Sequence, residues 1–173
     1  MKLVLATQNP KKLKEMNEIL SHLGVEVVSE AELGVRIEVE ETGETFTDNA
    51  RLKATAVMQA TGLPAVADDS GLCVDALNGG PGVYSARFGG EGLDDKGRYT
   101  LLLEMLRGQT DRAAHFHTSI VCAFPNGDEL VCEGECPGTI AFAPMGEGGF
   151  GYDPVFFVPE LRKTFGQLTA EEK

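Results

Sequence analysis

The chain has 173 residues, of which 42% are hydrophobic and 24% charged, values typical of one soluble globular domain with a sizeable core. Its net charge of −12 opposes binding to nucleic acid or to an anionic membrane, and no apolar run approaches the roughly 18 residues of a membrane span. Residues 1–6 lack the apolar core of a signal peptide, so we expect a cytoplasmic protein. An anionic ligand would bind only through a metal ion and a few well-placed cations.

The first elements along the chain are a strand and a helix. Residues 2–6 predict a buried strand, and Asn9 followed by Pro10 predicts a helix start. The helix is expected to continue to Leu23, with a buried stripe of Leu13, Met16, Leu20 and Leu23. Further strands are predicted over residues 25–29 and near 35–39.

A second helix is predicted through about residue 61, capped by Thr47 or Asp48 and ended by Gly62. Its buried stripe would consist of Ala50, Ala54, Val57 and Met58. Residues 65–67 then predict a short strand that stops at the turn-like sequence Asp68-Asp69-Ser70-Gly71, before strand-like residues 72–75.

The second half of the chain predicts a different arrangement. In order, we expect a loop at 78–82, a helix at 93–107 capped by Asp94, a hairpin of 113–124 and 128–142 around Asn126-Gly127, a glycine-rich loop at 146–151 and a strand at 154–158. Interleaved helices and strands together with a long antiparallel ribbon indicate an α/β fold with a mixed sheet.

The last residues carry a helix-start signal. Thr169 and Glu172 have the T-x-x-E spacing of a capping box, yet only Lys173 follows. A single turn of helix does not hold itself together. We therefore expect the chain to have been shortened from a longer protein.

The cysteines and histidines do not predict a site. Four cysteines include no C-x-x-C pair, which favours reduced structural thiols: Cys73, Cys122, Cys132 and Cys136. His115 and His117 share one face of a predicted strand, but without a third ligand in view a structural role is favoured. Nucleophilic catalysis has little support, because G-x-S-x-G and a Cys–His pairing are absent.

Residues 7–12 are candidates for phosphate binding. The sequence Thr7-Gln8-Asn9-Pro10-Lys11-Lys12 places two lysines in the first turn of a helix, where the helix dipole is already positive. Lysine ammonium groups and backbone N–H groups at a helix start form a phosphate site, although two solvated surface lysines are the alternative.

Two acidic segments are candidates for metal binding. Glu40-Glu41 and Asp68-Asp69 each follow a predicted strand, and strand ends in α/β sheets commonly meet at one edge. Gathered carboxylates favour a hard divalent cation, and Mg²⁺ suits a phosphate substrate best. Either pair alone could equally be a turn with solvated acids.

Two further features could complete such a site. Asn49 and Lys53 lie at i and i+4 on one side of the second helix, so Lys53 could reach a phosphate, although a surface lysine is the commoner case. The glycine-rich loop presents Phe150 and Tyr152 for stacking and Asp153 for hydrogen bonding, which suits a base pocket as well as an ordinary hairpin loop.

Five motifs, in order, resemble the inosine/xanthosine triphosphate pyrophosphatase family over nearly the whole chain. They are T-x-N-x-x-K from Thr7, E-E-T-G-x-T-F-x-x-N-A-x-x-K from Glu40, A-D-D-S-G-L from Ala67, P-G-x-Y-S-A-R from Pro81 and G-G-F-G-Y-D-P from Gly148. The resemblance implies a single domain over residues 1–173, with a two-lobed α/β fold and a long, twisted mixed sheet flanked by helices. It also implies a homodimer and Mg²⁺-dependent hydrolysis of ITP, dITP and XTP to the monophosphate and pyrophosphate, which cleanses the nucleotide pool.

The resemblance also implies roles for individual residues. Glu41 and Asp69 would hold Mg²⁺, and Asp69 would activate water within a catalytic group that includes Lys53 and Asp68. The substrate would contact Thr7, Gln8, Asn9, Pro10, Lys11, Lys12, Ser70, Phe150, Gly151, Tyr152, Asp153 and Lys173.

The family continues beyond the equivalent of Lys173 into a helix with a Ser-His-Arg motif that helps to recognise the 6-oxo purine, and this motif is absent here. We therefore expect weakened turnover and reduced discrimination between ITP and ATP. A pyrophosphatase for a modified pyrimidine triphosphate and a nucleotide-binding sensor without hydrolysis are the alternatives.

Overall fold

The computed structural model describes residues 1–173, with three α-helices and eight strands in one sheet. The helices are α1 (Pro10–Ser21), α2 (Phe46–Thr61) and α3 (Asp95–Met105). The strands are β1 (Lys2–Leu5), β2 (Glu26–Ser29), β3 (Ala65–Val74), β4 (Gly80–Pro81), β5 (Ala113–Ala123), β6 (Glu129–Ile140), β7 (Phe156–Val158) and β8 (Lys163–Thr164). None of the helices is both long and apolar enough to span a bilayer.

The sheet is mixed, as predicted. The strand order is β2-β1-β3-β5-β6-β7-β8, and β4 pairs with β3. Strand β1 pairs in parallel with β2 and β3, whereas β7 pairs antiparallel with β6 and β8. The chain forms two compact units: unit 1 comprises Met1–Asp69 and Thr118–Gly134, and unit 2 comprises Ser70–His117 and Glu135–Lys173.

Unit 1 places α1 and α2 on opposite faces of its strands. Leu3, Leu5 and Val66 pack with side chains of α1, whereas Val4, Ala65 and Ala67 pack with side chains of α2. Because successive strand residues point to opposite faces, Asp68 falls on the α1 face and Asp69 on the α2 face. The alternation of β3 thus sends two adjacent carboxylates to two different helices.

Unit 2 has its own core around α3 and the parts of β3, β5 and β6 that belong to this unit. The largest buried side chains include Leu72, Leu102, Leu106 and Phe156. Phe156 makes edge contacts with Phe116 and Phe165, with ring centroids 4.6 Å and 4.8 Å away.

The predicted strand near residues 35–39 is wrong. This segment has no strand pairing, and its backbone bonds to side chains instead: Ile37 N donates to Glu30 Oε2 at 2.9 Å, and Ile37 O accepts from Gln8 Nε2 at 3.3 Å. An alternating apolar pattern does not by itself supply a pairing partner.

The predicted turn at residues 68–71 is also wrong. Strand β3 runs unbroken through Asp68-Asp69-Ser70-Gly71 as one ten-residue strand. Turn-forming residue types were overridden because both carboxylates find partners on the flanking helices, described below.

The boundaries of all three helices differ from prediction, and α3 covers Asp95–Met105 instead of 93–107. Helix α1 ends at Ser21, and Leu23 is 70% exposed instead of buried. The cap of α2 is Thr45, whose side chain accepts from Asp48 N, in place of Thr47 or Asp48. The predicted Asn9 cap of α1 is confirmed, as is the burial of Ala50, Ala54 and Val57 on α2.

Two turns are formed as hydrogen-bonded units. The hairpin has a three-residue loop at 125–127, closed by Phe124 N donating to Asp128 O at 3.0 Å, and it needs the positive φ of 93° at Gly127. Near the end of the chain, Thr169 N donates to Glu172 Oε2 and Glu172 N donates to Thr169 Oγ1, which is the predicted capping box.

Candidate active site

Lys53 is the centre of a charged cluster in unit 1. Its Nζ lies 2.6 Å from Glu41 Oε1 and 3.7 Å from Asp69 Oδ1, and it donates to the backbone carbonyl of Asp68 at 2.7 Å. Three oxygen atoms from two separate segments therefore surround a single cation. We name Glu41, Asn49, Lys53 and Asp69 the acidic cluster.

Asn49 ties the acidic cluster together from inside the protein. This side chain is 0% exposed, its Nδ2 donates to Asp69 Oδ2 at 3.2 Å, and its Oδ1 accepts from Gly43 N at 2.7 Å. One amide thereby holds both the strand that carries Asp69 and the segment that carries Glu41. A Cβ on Gly43 would lie 2.6 Å from Asn49 Oδ1, so this approach requires glycine.

Asp69 is an unusual carboxylate. It is 8% exposed, and this burial is the largest effect on its pKa, which is raised. The negative charge of Glu41 also raises the pKa, whereas Lys53, Asn49 and Lys12 oppose the rise. Carboxyl groups with raised pKa values in charged clusters are candidate general bases. The carboxylates of Glu41 and Asp69 repel each other, and a cation bound by both would reduce this repulsion.

The start of α1 supplies a second ion pair. Lys12 Nζ lies 2.6 Å from Asp68 Oδ2, and both side chains are mostly buried. Asn9 Oδ1 accepts from the backbone N–H groups of Lys11 and Lys12 at 3.0 Å and 3.4 Å. The negative charge expected beside this helix start is thus supplied in the structure by the carboxylate of Asp68.

The other residues predicted to bind phosphate or metal in this region have different environments. Thr7 Oγ1 accepts from Asn9 N at 3.2 Å, which shapes the cap, while Gln8 bonds to Ile37 O and Pro10 occupies the first turn. Lys11 and Glu40 are exposed. Of the four acids predicted to gather at one edge, Glu41 and Asp69 share Lys53, while the side chain of Asp68 turns to the other face.

Unit 2 contains the predicted base-binding residues. Asp153 is 4% exposed and its Oδ2 accepts from Phe150 N at 3.0 Å and from Lys173 Nζ at 3.0 Å. The Lys173 ammonium also lies 4.8 Å from the centre of the Phe150 ring. Gly151 N donates to Asp95 Oδ2 at 2.8 Å. Phe150, Asp153 and Lys173 are therefore brought together, and Ser70 lies half-buried in β3.

Tyr152 does not fit the predicted stacking role. It is 5% exposed, its hydroxyl donates to Ser85 O at 2.6 Å, and burial raises its pKa. The expectation that Tyr152 presents its ring to a base is wrong, because the ring packs in the core of unit 2 with Leu72 and Phe156.

We predict that Tyr152→Phe lowers the free energy of unfolding by about 1–3 kcal/mol, because the buried carbonyl of Ser85 loses its donor. Urea unfolding would measure this loss. The matched control is Tyr84→Phe, a tyrosine that is 64% exposed and whose change should cost less than about 0.5 kcal/mol. A large increase in KM of Tyr152→Phe at unchanged stability would contradict the structural role.

Known proteins are similar to this chain over nearly its whole length. The model of the Ham1 family matches residues 3–173. The chain belongs to the Ham1 family. A dITP/XTP pyrophosphatase of Exiguobacterium sp. is 50% identical over 173 residues, covering 100% of this chain and 88% of the relative, and one of Thermus thermophilus is 51% identical over 100% of this chain and 84% of the relative.

Solved structures of the Ham1 family have the same fold. The Staphylococcus aureus Ham1 protein superposes with a TM-score of 0.90 at 43% identity, covering 100% of this chain and 89% of that one. A HAM1 protein from Coxiella burnetii superposes with a TM-score of 0.91 at 43% identity, covering 99% and 89%. These matches confirm the resemblance inferred from the five motifs and the prediction that the chain is an enzyme of nucleotide hydrolysis.

Proposed function

We propose that this chain hydrolyses dITP, XTP and ITP to the nucleoside monophosphate and pyrophosphate, with Mg²⁺ as cofactor. The relatives named dITP/XTP pyrophosphatases support the reaction. The observation that carries the proposal is the convergence of Glu41 and Asp69 on the ammonium group of Lys53.

The donor set of the acidic cluster fits a hard divalent cation. Glu41 and Asp69 offer carboxylate oxygens, which are the ligands that Mg²⁺ prefers. Both already approach one positive charge, and the two negative charges repel each other in its absence. Glu41 and Asp69 would hold the ion, which when bound would offset charge on the triphosphate and polarise the scissile phosphorus–oxygen bond.

The chain's own residues account for the remaining chemistry. Asp69 accepts a proton from the attacking water at a carboxylate oxygen, a role that its raised pKa favours. Asn49 fixes the orientation of this carboxylate by donating to Oδ2. Lys53 and Lys12 place positive charge beside the phosphates, with Asp68 orienting Lys12.

The proposed test measures pyrophosphate and monophosphate from dITP and XTP. Stoichiometric pyrophosphate with Mg²⁺ present, and loss of release after chelation with EDTA that is restored by added Mg²⁺, is the expected result. Release of orthophosphate as the first product would contradict cleavage between the α- and β-phosphates. Unchanged turnover without divalent cations would contradict the assigned metal role.

Phe150 is proposed to stack on the purine base. Lys173 and Asp153 are proposed to line the same base-binding site. We predict that Phe150→Ala raises KM for dITP by about tenfold with a smaller change in kcat, since stacking on a base contributes about 1–3 kcal/mol. Initial-rate kinetics would measure both constants. The control is Phe142→Ala, which removes a phenylalanine that is 81% exposed and should leave KM unchanged. Equal KM values for the two variants would remove Phe150 from the substrate site.

The homodimer implied by the family resemblance is part of this proposal. Sedimentation velocity of the chain at micromolar concentration would check it, and a monomer at all concentrations would contradict it.

A further inference from the structure

A second cluster of metal-binding groups lies in unit 2, on the adjacent strands β5 and β6. His117 Nδ1 lies 3.1 Å from Glu135 Oε1, and His115 Nε2 lies 3.9 Å from the same oxygen. One potential ligand atom from each of the three residues lies within 4.8 Å of the others. Glu135 is therefore a third potential ligand, which the sequence did not reveal.

The backbone explains why these side chains meet. His115 and His117 are two residues apart on β5, so both point to one face of the strand. Glu135 lies on β6, which neighbours β5 in the sheet. Two imidazoles and one carboxylate are thus presented together by regular, hydrogen-bonded backbone, which is a more rigid support than a loop.

We propose that His115, His117 and Glu135 bind a divalent transition-metal ion of the Zn²⁺ type. Tetrahedral zinc has ligands at about 2.0–2.2 Å, which places the ligand atoms about 3.3–3.6 Å from one another. The measured separations of 3.1 Å and 3.9 Å lie on either side of this range. The third pair, the two imidazoles, lies within 4.8 Å, so binding would require rotamer changes that draw the three ligand atoms together.

A hydrogen bond alone explains this arrangement less well. A hydrogen bond accounts for His117 at 3.1 Å, but His115 Nε2 faces the same oxygen at 3.9 Å, which is too far for a hydrogen bond. The two imidazole rings would repel each other if both were protonated, whereas a metal ion is bound by neutral imidazoles. The net charge of −12 further favours accumulation of a dication.

The donor chemistry separates this site from the acidic cluster. Imidazole nitrogen suits zinc and its neighbours in the transition series, whereas Mg²⁺ prefers an all-oxygen set. With three protein ligands, a fourth position is left for water or an exogenous ligand. The bound ion would also join β5 to β6 and stabilise the folded protein by mass action.

The test is a zinc titration of the untagged protein after removal of metals with EDTA. Isothermal titration calorimetry is expected to show one Zn²⁺ per chain that excess Mg²⁺ does not displace, and Zn²⁺ should raise the Tm by several degrees. His117→Ala and Glu135→Gln should each weaken zinc binding by more than about tenfold. Co²⁺ should give visible absorption bands in the wild type that His117→Ala lacks.

The control is His22→Ala, which removes the remaining histidine, an exposed residue of unit 1, and should bind zinc as the wild type does. Far-UV circular dichroism of each metal-free variant checks folding, and Glu135→Gln tests the site with almost no change of shape. The proposal is overturned if the wild type takes up no zinc, or if the His115→Ala/His117→Ala double variant binds it with unchanged affinity. Pyrophosphate release with Mg²⁺ in His117→Ala should remain normal, so this outcome is independent of the proposed catalytic function.

Discussion

Replacing Asp69 by asparagine is expected to lower kcat for pyrophosphate release by about 10²–10⁴-fold, because the group that we propose as the acceptor of the proton from water is lost. The change preserves the shape of the side chain and an oxygen that can accept from Asn49 Nδ2. Initial rates with dITP at saturating Mg²⁺ would measure it. Asp75→Asn, at an exposed aspartate, is the matched control and should retain full activity. Turnover within about threefold of the wild type would exclude Asp69 as the base.

The same substitution has a second expected effect, on the stability of the metal-free protein. Burial raises the pKa of Asp69 in the folded state, so the folded protein binds this proton more tightly than the unfolded chain does. The stability contributed by Asp69 is therefore present below its unfolded pKa and is lost as the pH rises through its folded pKa. Asparagine does not titrate, so Asp69→Asn should gain stability relative to the wild type across this window.

Urea unfolding in EDTA at several acidic and neutral pH values would measure the difference. The free energy of unfolding of Asp69→Asn minus that of the wild type should increase with pH and then level off. A difference that is independent of pH would show that the pKa of Asp69 is not raised. Loss of activity combined with undiminished stability is the pattern expected of a residue retained for function.

Asn49→Ala is expected to lower the free energy of unfolding by about 2–4 kcal/mol, because it removes the donor to Asp69 and leaves Gly43 N without its acceptor. We also expect kcat to fall by about 10²-fold, since Glu41 and Asp69 lose their common support. Urea unfolding and steady-state kinetics would measure the two effects.

Two variants separate the causes. Asn17→Ala changes an exposed asparagine of α1 and should alter stability by less than about 0.5 kcal/mol. Asn49→Asp keeps an acceptor for Gly43 N but places a negative charge against Asp69. If Asn49→Asp were as active as the wild type, orientation of Asp69 by the amide would be excluded.

The amphipathic stripes and turn residues were sufficient to predict much of the scaffold. The Asn9-Pro10 start of α1, the buried alanines of α2 and the long hairpin follow from local backbone preferences and from spacing alone. The segment near 35–39 has an equally clear alternating pattern, but the strand predicted from it does not form. Its backbone groups are satisfied by Glu30 and Gln8, side chains whose position depends on the fold.

The candidate site was predicted in part for a similar reason. Residue types and motif order pointed to Glu41, Lys53 and Asp69, but Asn49 was noted beside Lys53 without a role of its own. Its spacing of four residues from Lys53 was the available signal, whereas its burial and its two partners arise only from packing. Tyr152 and Phe150 look equivalent in sequence, and only the direction of the loop distinguishes a core residue from one beside Lys173.

The sequence by itself determined the family, the mixed α/β class and the candidate residues for metal and phosphate binding, because these depend on residue chemistry and short spacings. The tertiary structure decided which of those residues meet. Strand alternation sends Asp68 to Lys12 and Asp69 to Lys53, and sheet pairing brings Glu135 to His115 and His117. Contacts between residues far apart in the chain are set by strand pairing and helix packing, which the local pattern of residues does not encode.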